Sequence, residues 1–181
     1  MRLGTALVIS APSGAGKTTL IRKLTAEFPG FTYSISFTTR SPRAGEVNGR
    51  DYHFTTREEF IARRDRHEFA EWAEVHGILF DIDVQGAAQL HLSLPSAHFV
   101  FILPPSMEEL ERRLRGRGTD TDEVIRVRLA DARQEIREAR WFDSLILNDD
   151  LDRAYQDLRA AYLQATLAPK LHTALLDSLL F

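Results

Sequence analysis

The chain has no cysteine among its 181 residues. Disulfides and thiolate metal centres are therefore excluded, and the absence accords with a reducing, cytoplasmic setting. It also lacks a long apolar run, and a strand-like segment begins within a few residues of Met1, so neither a secretion signal nor a membrane span is expected. Positive charge is not in excess. The formal net charge is −3, which argues against a nucleic-acid binder acting through bulk potential and requires any anion site to be local. Lysine is scarce: only Lys17, Lys23 and Lys170 occur among 23 basic residues, and the rest are arginine. Most of these suit helix-surface ion pairs, but a guanidinium fork also grips phosphate oxygens in pairs. The six histidines (His53, His67, His76, His91, His98 and His172) show no metal-ligand spacing and read as surface or core residues.

What is present is enough for one core. At 44% hydrophobic the chain is expected to form a single domain. Thr5 to Ala11 is a continuous apolar run of the kind buried on both faces of a sheet, and Gly16 to Glu27 follows as a helix with Leu20, Ile21 and Leu24 on one side. Thr32 to Phe37 alternates and predicts a strand with one polar face. Pro42, Gly45 and Asn48-Gly49 mark turns, and Thr56 with Glu59 opens a helix reaching Arg66. Further strands are expected at Ile78 to Asp83, Ala97 to Leu103 and Ser144 to Leu147, and further helices at Ser106 to Arg115, Asp122 to Arg140 and Asp150 to Ala168. Strands alternating with helices point to an α/β fold with a mainly parallel sheet.

The stretch Ser10 to Thr19, "SAPSGAGKTT", lies between the first strand and the first helix. A phosphate loop works because backbone N–H groups converge at a helix N-terminus, where the partial positive charge favours an anion. Here Ser13, Gly14, Ala15 and Gly16 would form the cradle, Lys17 would reach the terminal phosphates, and Thr18, followed by Thr19, would offer a hydroxyl to Mg²⁺. ATP with Mg²⁺ is the expected occupant. Ala11 stands where the usual pattern has glycine, and alanine is its smallest replacement.

The segments "SISFTTRSPRAGEVNGRDYHF", "EFAEWAEVHG", "DIDVQGA", "LPPSMEELERRLRGRGTD" and "LNDDLDRAY" together, in this order, resemble the guanylate kinase family from Leu7 to about Tyr162. The resemblance implies a P-loop NTPase three-layer fold with a small mixed α/β GMP-binding lobe at about residues 33–77 and a helical lid at about 113–128. The core would comprise about 1–32, 78–112 and 129–181. It implies that ATP phosphorylates GMP, with dGMP use and oligomeric state left open. Ser36, Arg40, Arg43 and Tyr52 would line the GMP site, with Glu71 reading the guanine N1–H and exocyclic amine. Asp81 and Asp83 would lie between the two nucleotides, Asp83 near Mg²⁺. Arg113, Arg117 and Arg128 would close over the transferring phosphoryl group, with Gly116 and Gly118 as hinges, while Asn148 and Asp149 would contact adenine. The rival implications are a phosphopeptide-binding module without catalysis and a P-loop kinase for another small acceptor.

One junction departs from the family pattern. Phe69 to His76 reads as extended, and Gly77 passes directly to Ile78, where a parallel sheet would need a crossover. The family has a Tyr-Gly-Ser/Thr motif and a helix there, on the order of twenty residues. That piece would carry a second tyrosine to the GMP phosphate and a hydroxyl to the base. Either it is deleted, or the sequence as written joins segments that flank a mobile stretch, and the survival of every other motif favours the latter.

Overall fold

The structure, a computed structural model, describes residues 5–34, 37–42, 45, 47–49, 52–66, 78–116, 118 and 120–180. Its main sheet contains β1 (Ala6–Ser10), β2 (Thr32–Ser34), β5 (Ile78–Asp81), β6 (His98–Leu103) and β7 (Ser144–Leu147) in the order β2-β5-β1-β6-β7. All four pairings are parallel, with Leu7 opposite Leu79 and Val8 opposite Phe99. A second, two-stranded parallel sheet pairs β3 (Phe37–Thr38) with β4 (His53–Phe54). The helices are α1 (Lys17–Glu27), α2 (Arg57–Asp65), α3 (Val84–Ser93), α4 (Met107–Arg115), α5 (Asp122–Glu138), α6 (Leu151–Thr166) and α7 (Thr173–Leu180). Among the described residues no helix is long and apolar enough to cross a membrane.

Strand alternation builds the layers. Leu7, Ile9, Val100, Ile102 and Ile146 join Leu20 and Leu24 of α1 and Leu158 of α6 in one cluster. Val8, Phe99 and Phe101, one residue out of phase, join Val84 and Ala87 of α3 and Phe142 in another. The central strands β1 and β6 thus bury both faces, which is why these two segments read as unbroken apolar runs, whereas the edge strand β7 leaves Leu145 and Leu147 exposed. At about 1.5–3 kcal/mol per fully buried large aliphatic or aromatic side chain, these two faces dominate the fold's stabilisation. A third, smaller cluster of Leu110, Leu114, Ile125, Leu129 and Ala132 fastens α4 to α5.

The sequence-based elements need several corrections. The run at residues 32–37 is not one strand: Thr32–Ser34 joins the main sheet and Phe37–Thr38 the small one, so the chain leaves the core there. Strand β5 stops at Asp81, because Asp83 is already the cap of α3 and accepts a hydrogen bond from the Gly86 N–H at 2.8 Å. Helix α3 has only Val84 and Ala87 buried, too few for a clear helical stripe in the sequence. The helix from Asp122 tightens into a short 3-10 turn over Ala139–Trp141. The capping boxes behave as expected, with Thr56 and Ser106 accepting from the N–H of Glu59 and Glu109 at 3.2 and 3.1 Å. Because β2 and β5 are parallel, the whole of residues 35–77 serves as the connection between them. Phe69 to Gly77 lies outside the described residues.

Candidate functional site

Parallel strands all end at one edge of the sheet, and the loops that leave this edge form the site. The chain turns out of β1 at Ala11, whose methyl is buried in the core cluster beneath α1. The loop closes with Ala15 N–H donating to the Pro12 carbonyl at 3.0 Å, and Gly16 then caps α1 in the left-handed conformation, φ 97°. No side chain can sit at Gly16. A Cβ there would lie 2.2 Å from Asn148 Nδ2. Gly14, φ 98°, is also tight, since its Cβ would meet Leu110 and Leu114 of α4 at 3.1 Å. The second and third turn residues of the loop are thus fixed by packing as well as by dihedral.

Two side chains brace this loop from behind. The Asn148 amide, buried just past β7, donates to the Ala15 carbonyl at 2.6 Å. Arg113 of α4 donates to the same carbonyl at 3.5 Å and to the Asn148 carbonyl at 3.0 Å, while Glu109 anchors its Nε at 2.8 Å. Hydrogen bonds from Arg112 first, then Arg113, hold the Glu109 carboxyl down at about 2. The family resemblance implies an adenine contact for Asn148 and closure over the phosphoryl group for Arg113. In this structure both hold the loop that would carry the nucleotide, a role sequence spacing does not reveal. Asp149 receives the neighbouring Asp150 N–H at 2.7 Å and pairs with Arg153, which keeps its carboxyl below the ordinary range.

Lys17, at the start of α1, reaches over the sheet edge. Its Nζ lies 2.6 Å from Asp81 Oδ1 and donates to the Ile82 carbonyl at 3.0 Å. Asp81 is therefore the lysine's counter-ion, and Thr18 and Thr19 stand exposed beside it on the first turn. From α5, Arg128 donates to Ser13 Oγ at 3.0 Å. Arg112, Arg115 and Arg126 form exposed ion pairs with Glu109, with Glu111 and Asp122, and with Glu123, as expected of solvated helix faces. Between α3 and α5, Asp83, Gln85, Gln134, Glu135 and Glu138 line a cavity of about 290 Å³. There burial, and then the nearby Asp83, push the Glu135 carboxyl up to about 7. Glu135 occupies an ordinary position within α5, so no sequence signal marks it.

The small sheet carries a second group. The Arg40 guanidinium lies 5.3 Å from the centre of the Tyr52 ring, and Tyr52 is placed by a turn in which Gly49 N–H donates to its carbonyl at 2.8 Å. A larger cavity of about 470 Å³ opens beside this sheet, lined by Phe37, Thr38, Thr39, Arg57, Phe60 and Ile61. It is the size of a small-molecule pocket, and although Phe37, Thr38 and Thr39 fall in a segment that carries the family resemblance, the resemblance implies no role for any single lining residue. Ser36, Arg43, Glu71 and Arg117 lie outside the described residues.

The sequence model described as guanylate kinase matches residues 3–80 and 74–165, two stretches that meet around the Gly77–Ile78 junction. Guanylate kinase of Lawsonia intracellularis is 56% identical, covering 98% of this chain and 92% of its own length. That of Nitratidesulfovibrio vulgaris is likewise 56% identical, covering 99% and 96%. These alignments span 196 and 198 positions against 181 residues here, so both relatives carry residues that this chain lacks. The crystal structure of guanylate kinase from Anaplasma phagocytophilum superposes with a TM-score of 0.72 at 27% identity, covering 96% of each chain. The parallel sheet, the loop between β1 and α1 and these matches over nearly the whole length lead to one assignment: the chain belongs to the guanylate kinase family.

Proposed function

We propose that this chain transfers the γ-phosphoryl group of ATP to GMP, giving ADP and GDP. The observation that carries the reading is the placement of Lys17, a loop lysine held 2.6 Å from a carboxylate at the carboxyl edge of a parallel sheet, in a chain so close to named guanylate kinases. Chemically, a GMP phosphate oxygen attacks the γ-phosphorus in line, and the bond to the bridging oxygen of ADP breaks. An anionic oxygen needs no general base, so catalysis consists of positioning and charge neutralisation. Lys17 would exchange Asp81 for the β- and γ-phosphates. Arg128, with Arg117, would supply positive charge from the lid and exclude water as a competing acceptor, while Arg113, expected in the lid from the resemblance, would act by bracing the loop. Arg40, Arg43 and Tyr52 would hold the GMP phosphate, with Ser36 and Glu71 on the base.

The donor set fits magnesium. Thr18 offers an exposed hydroxyl and Asp83 a carboxylate, both hard oxygens, and among the described residues no group of three His, Asp or Glu converges on a metal position. An ion bound by one or two protein oxygens takes its remaining ligands from phosphate and water, as Mg²⁺ does. When bound it neutralises charge on the phosphates.

We also take the shortened connection as a property of the chain, since both relatives align with nearly all of its 181 residues and carry additional residues of their own within the aligned span. The shortening then falls in the acceptor lobe and leaves the donor loop intact. Turnover of labelled ATP with GMP, dGMP, AMP and dCMP tests the assignment. GMP is expected to react fastest, and faster phosphorylation of AMP or dCMP would overturn the acceptor. Lys17→Ala should lower kcat by about a thousandfold or more, the scale of a lost transition-state charge contact.

A further inference from the structure

We propose that Asp120 is a positioning residue for Arg128, holding one edge of its guanidinium so that the opposite end stays at the phosphate loop. The role given to Arg128 rests on the phosphoryl-transfer reading above. Arg128 Nε lies 3.5 Å from Asp120 Oδ2, and Nη2 donates to Asp120 Oδ1 at 3.5 Å. The carboxylate therefore faces the Nε and Nη2 edge side-on, and the remaining nitrogen, Nη1, reaches Ser13 Oγ at 3.0 Å. The two residues are eight apart, yet they meet because long side chains on a helix lie back toward its N-terminus.

The usual reasons for an acid before a helix do not account for Asp120. Thr121 is the cap of α5, accepting from the Val124 N–H, and Asp122 and Glu123 already place negative charge in the first turn. Those two acids pair with Arg115 and Arg126. Asp120 differs from them in burial: its side chain is 12% exposed, against 78% for Asp122 and 70% for Glu123. Asp120 Oδ2 is buried with no hydrogen-bond partner, so its charge depends on the ion pair with Arg128. Arg128, only 23% exposed, is correspondingly fixed. The guanidinium is thus held on one side and presented on the other, where a phosphate oxygen would take the place of the Ser13 hydroxyl.

Kinetics and a spectroscopic probe together test the assignment, using Asp120→Asn, Asp120→Glu, Arg128→Ala and the double variant. With ATP and GMP as substrates, Asp120→Asn should lower kcat about tenfold, a typical loss for a misplaced charged group, while both KM values stay within about threefold. Asp120→Glu should restore most of that loss. The double variant should be no slower than Arg128→Ala, because the carboxylate acts only through that side chain. In the nucleotide-free protein, the Arg128 Nε–H nuclear magnetic resonance signal should exchange slowly with solvent, and quickly in Asp120→Asn but not in Asp122→Asn. Unchanged kcat in Asp120→Asn, multiplying losses in the double variant, or unchanged Nε–H exchange would each overturn the assignment. Should the wild type fail to phosphorylate GMP, the functional reading falls, and the exchange measurement still decides whether Asp120 holds Arg128.

Discussion

Gly16 shows how much a single position in the loop decides. Alanine there would take a left-handed backbone at a cost of about 1–2 kcal/mol and drive its Cβ into Asn148 Nδ2. Gly16→Ala is therefore expected to lower the melting temperature by several degrees, at about 2–4 °C per kcal/mol for a chain of this size, and to weaken ATP binding at least tenfold. Thermal unfolding and calorimetric titration with ATP would measure the two effects, and unchanged affinity would show that the loop tolerates the displacement. Asn148→Ala probes the same contact from its other side. It leaves the buried Ala15 carbonyl without its closest donor, at a cost of about 1–3 kcal/mol, and should raise the KM for ATP more than that for GMP. Residue types and spacing were sufficient to find the loop in the sequence, because glycine, lysine and threonine are needed there for reasons local to the chain. They could not show that Asn148, more than a hundred residues away, locks Ala15. That partnership exists only once β7 lies in the sheet.

At the scale of elements, the cleft between α3 and α5 makes stability depend on pH. The Glu135 carboxyl is held at about 7 against an ordinary 4.5, by burial first and then by Asp83, with Asp131 raising it further and Lys17 opposing. Between those values the native protein binds a proton that the unfolded chain has released. Stability attributable to this group therefore falls as pH rises from about 4.5 to about 7, and the full penalty persists above. Glu135→Gln should raise the melting temperature at pH 8.5 and leave it nearly unchanged at pH 4.5; equal shifts at both would mean that the carboxyl ionises freely in the fold. Element boundaries followed the strength of the local signal. The apolar runs of β1 and β6 and the capped starts of α2 and α4 were plain in the sequence, whereas α3 was not, since it packs on the sheet through few large residues. The split at residues 32–38 was also hidden, because alternation alone does not say which of two sheets a residue joins.

For the whole molecule, donor and acceptor sides are unequally complete. The loop proposed to hold ATP is braced by α4 and by the end of β7, while the family match divides into two stretches within the connection from β2 to β5, where the acceptor lobe is proposed to lie and where the relatives' additional residues fall. Affinity for ATP should then match that of the relatives, whereas the KM for GMP should exceed theirs by about tenfold or more, the cost of about one lost phosphate contact. Grafting the corresponding segment of the Lawsonia enzyme between Gly77 and Ile78 should lower that KM without altering ATP binding, and a graft with no effect would place the missing residues away from the acceptor. The brace on Ala15 carries one more consequence, for the order of synthesis. The complete "SAPSGAGKTT" stretch leaves the ribosome early, but the side chain that pins its carbonyl comes from Asn148. A nascent chain ending at Leu147 holds every loop residue and no lock, so the brace on Ala15 forms only late in the protein's own translation.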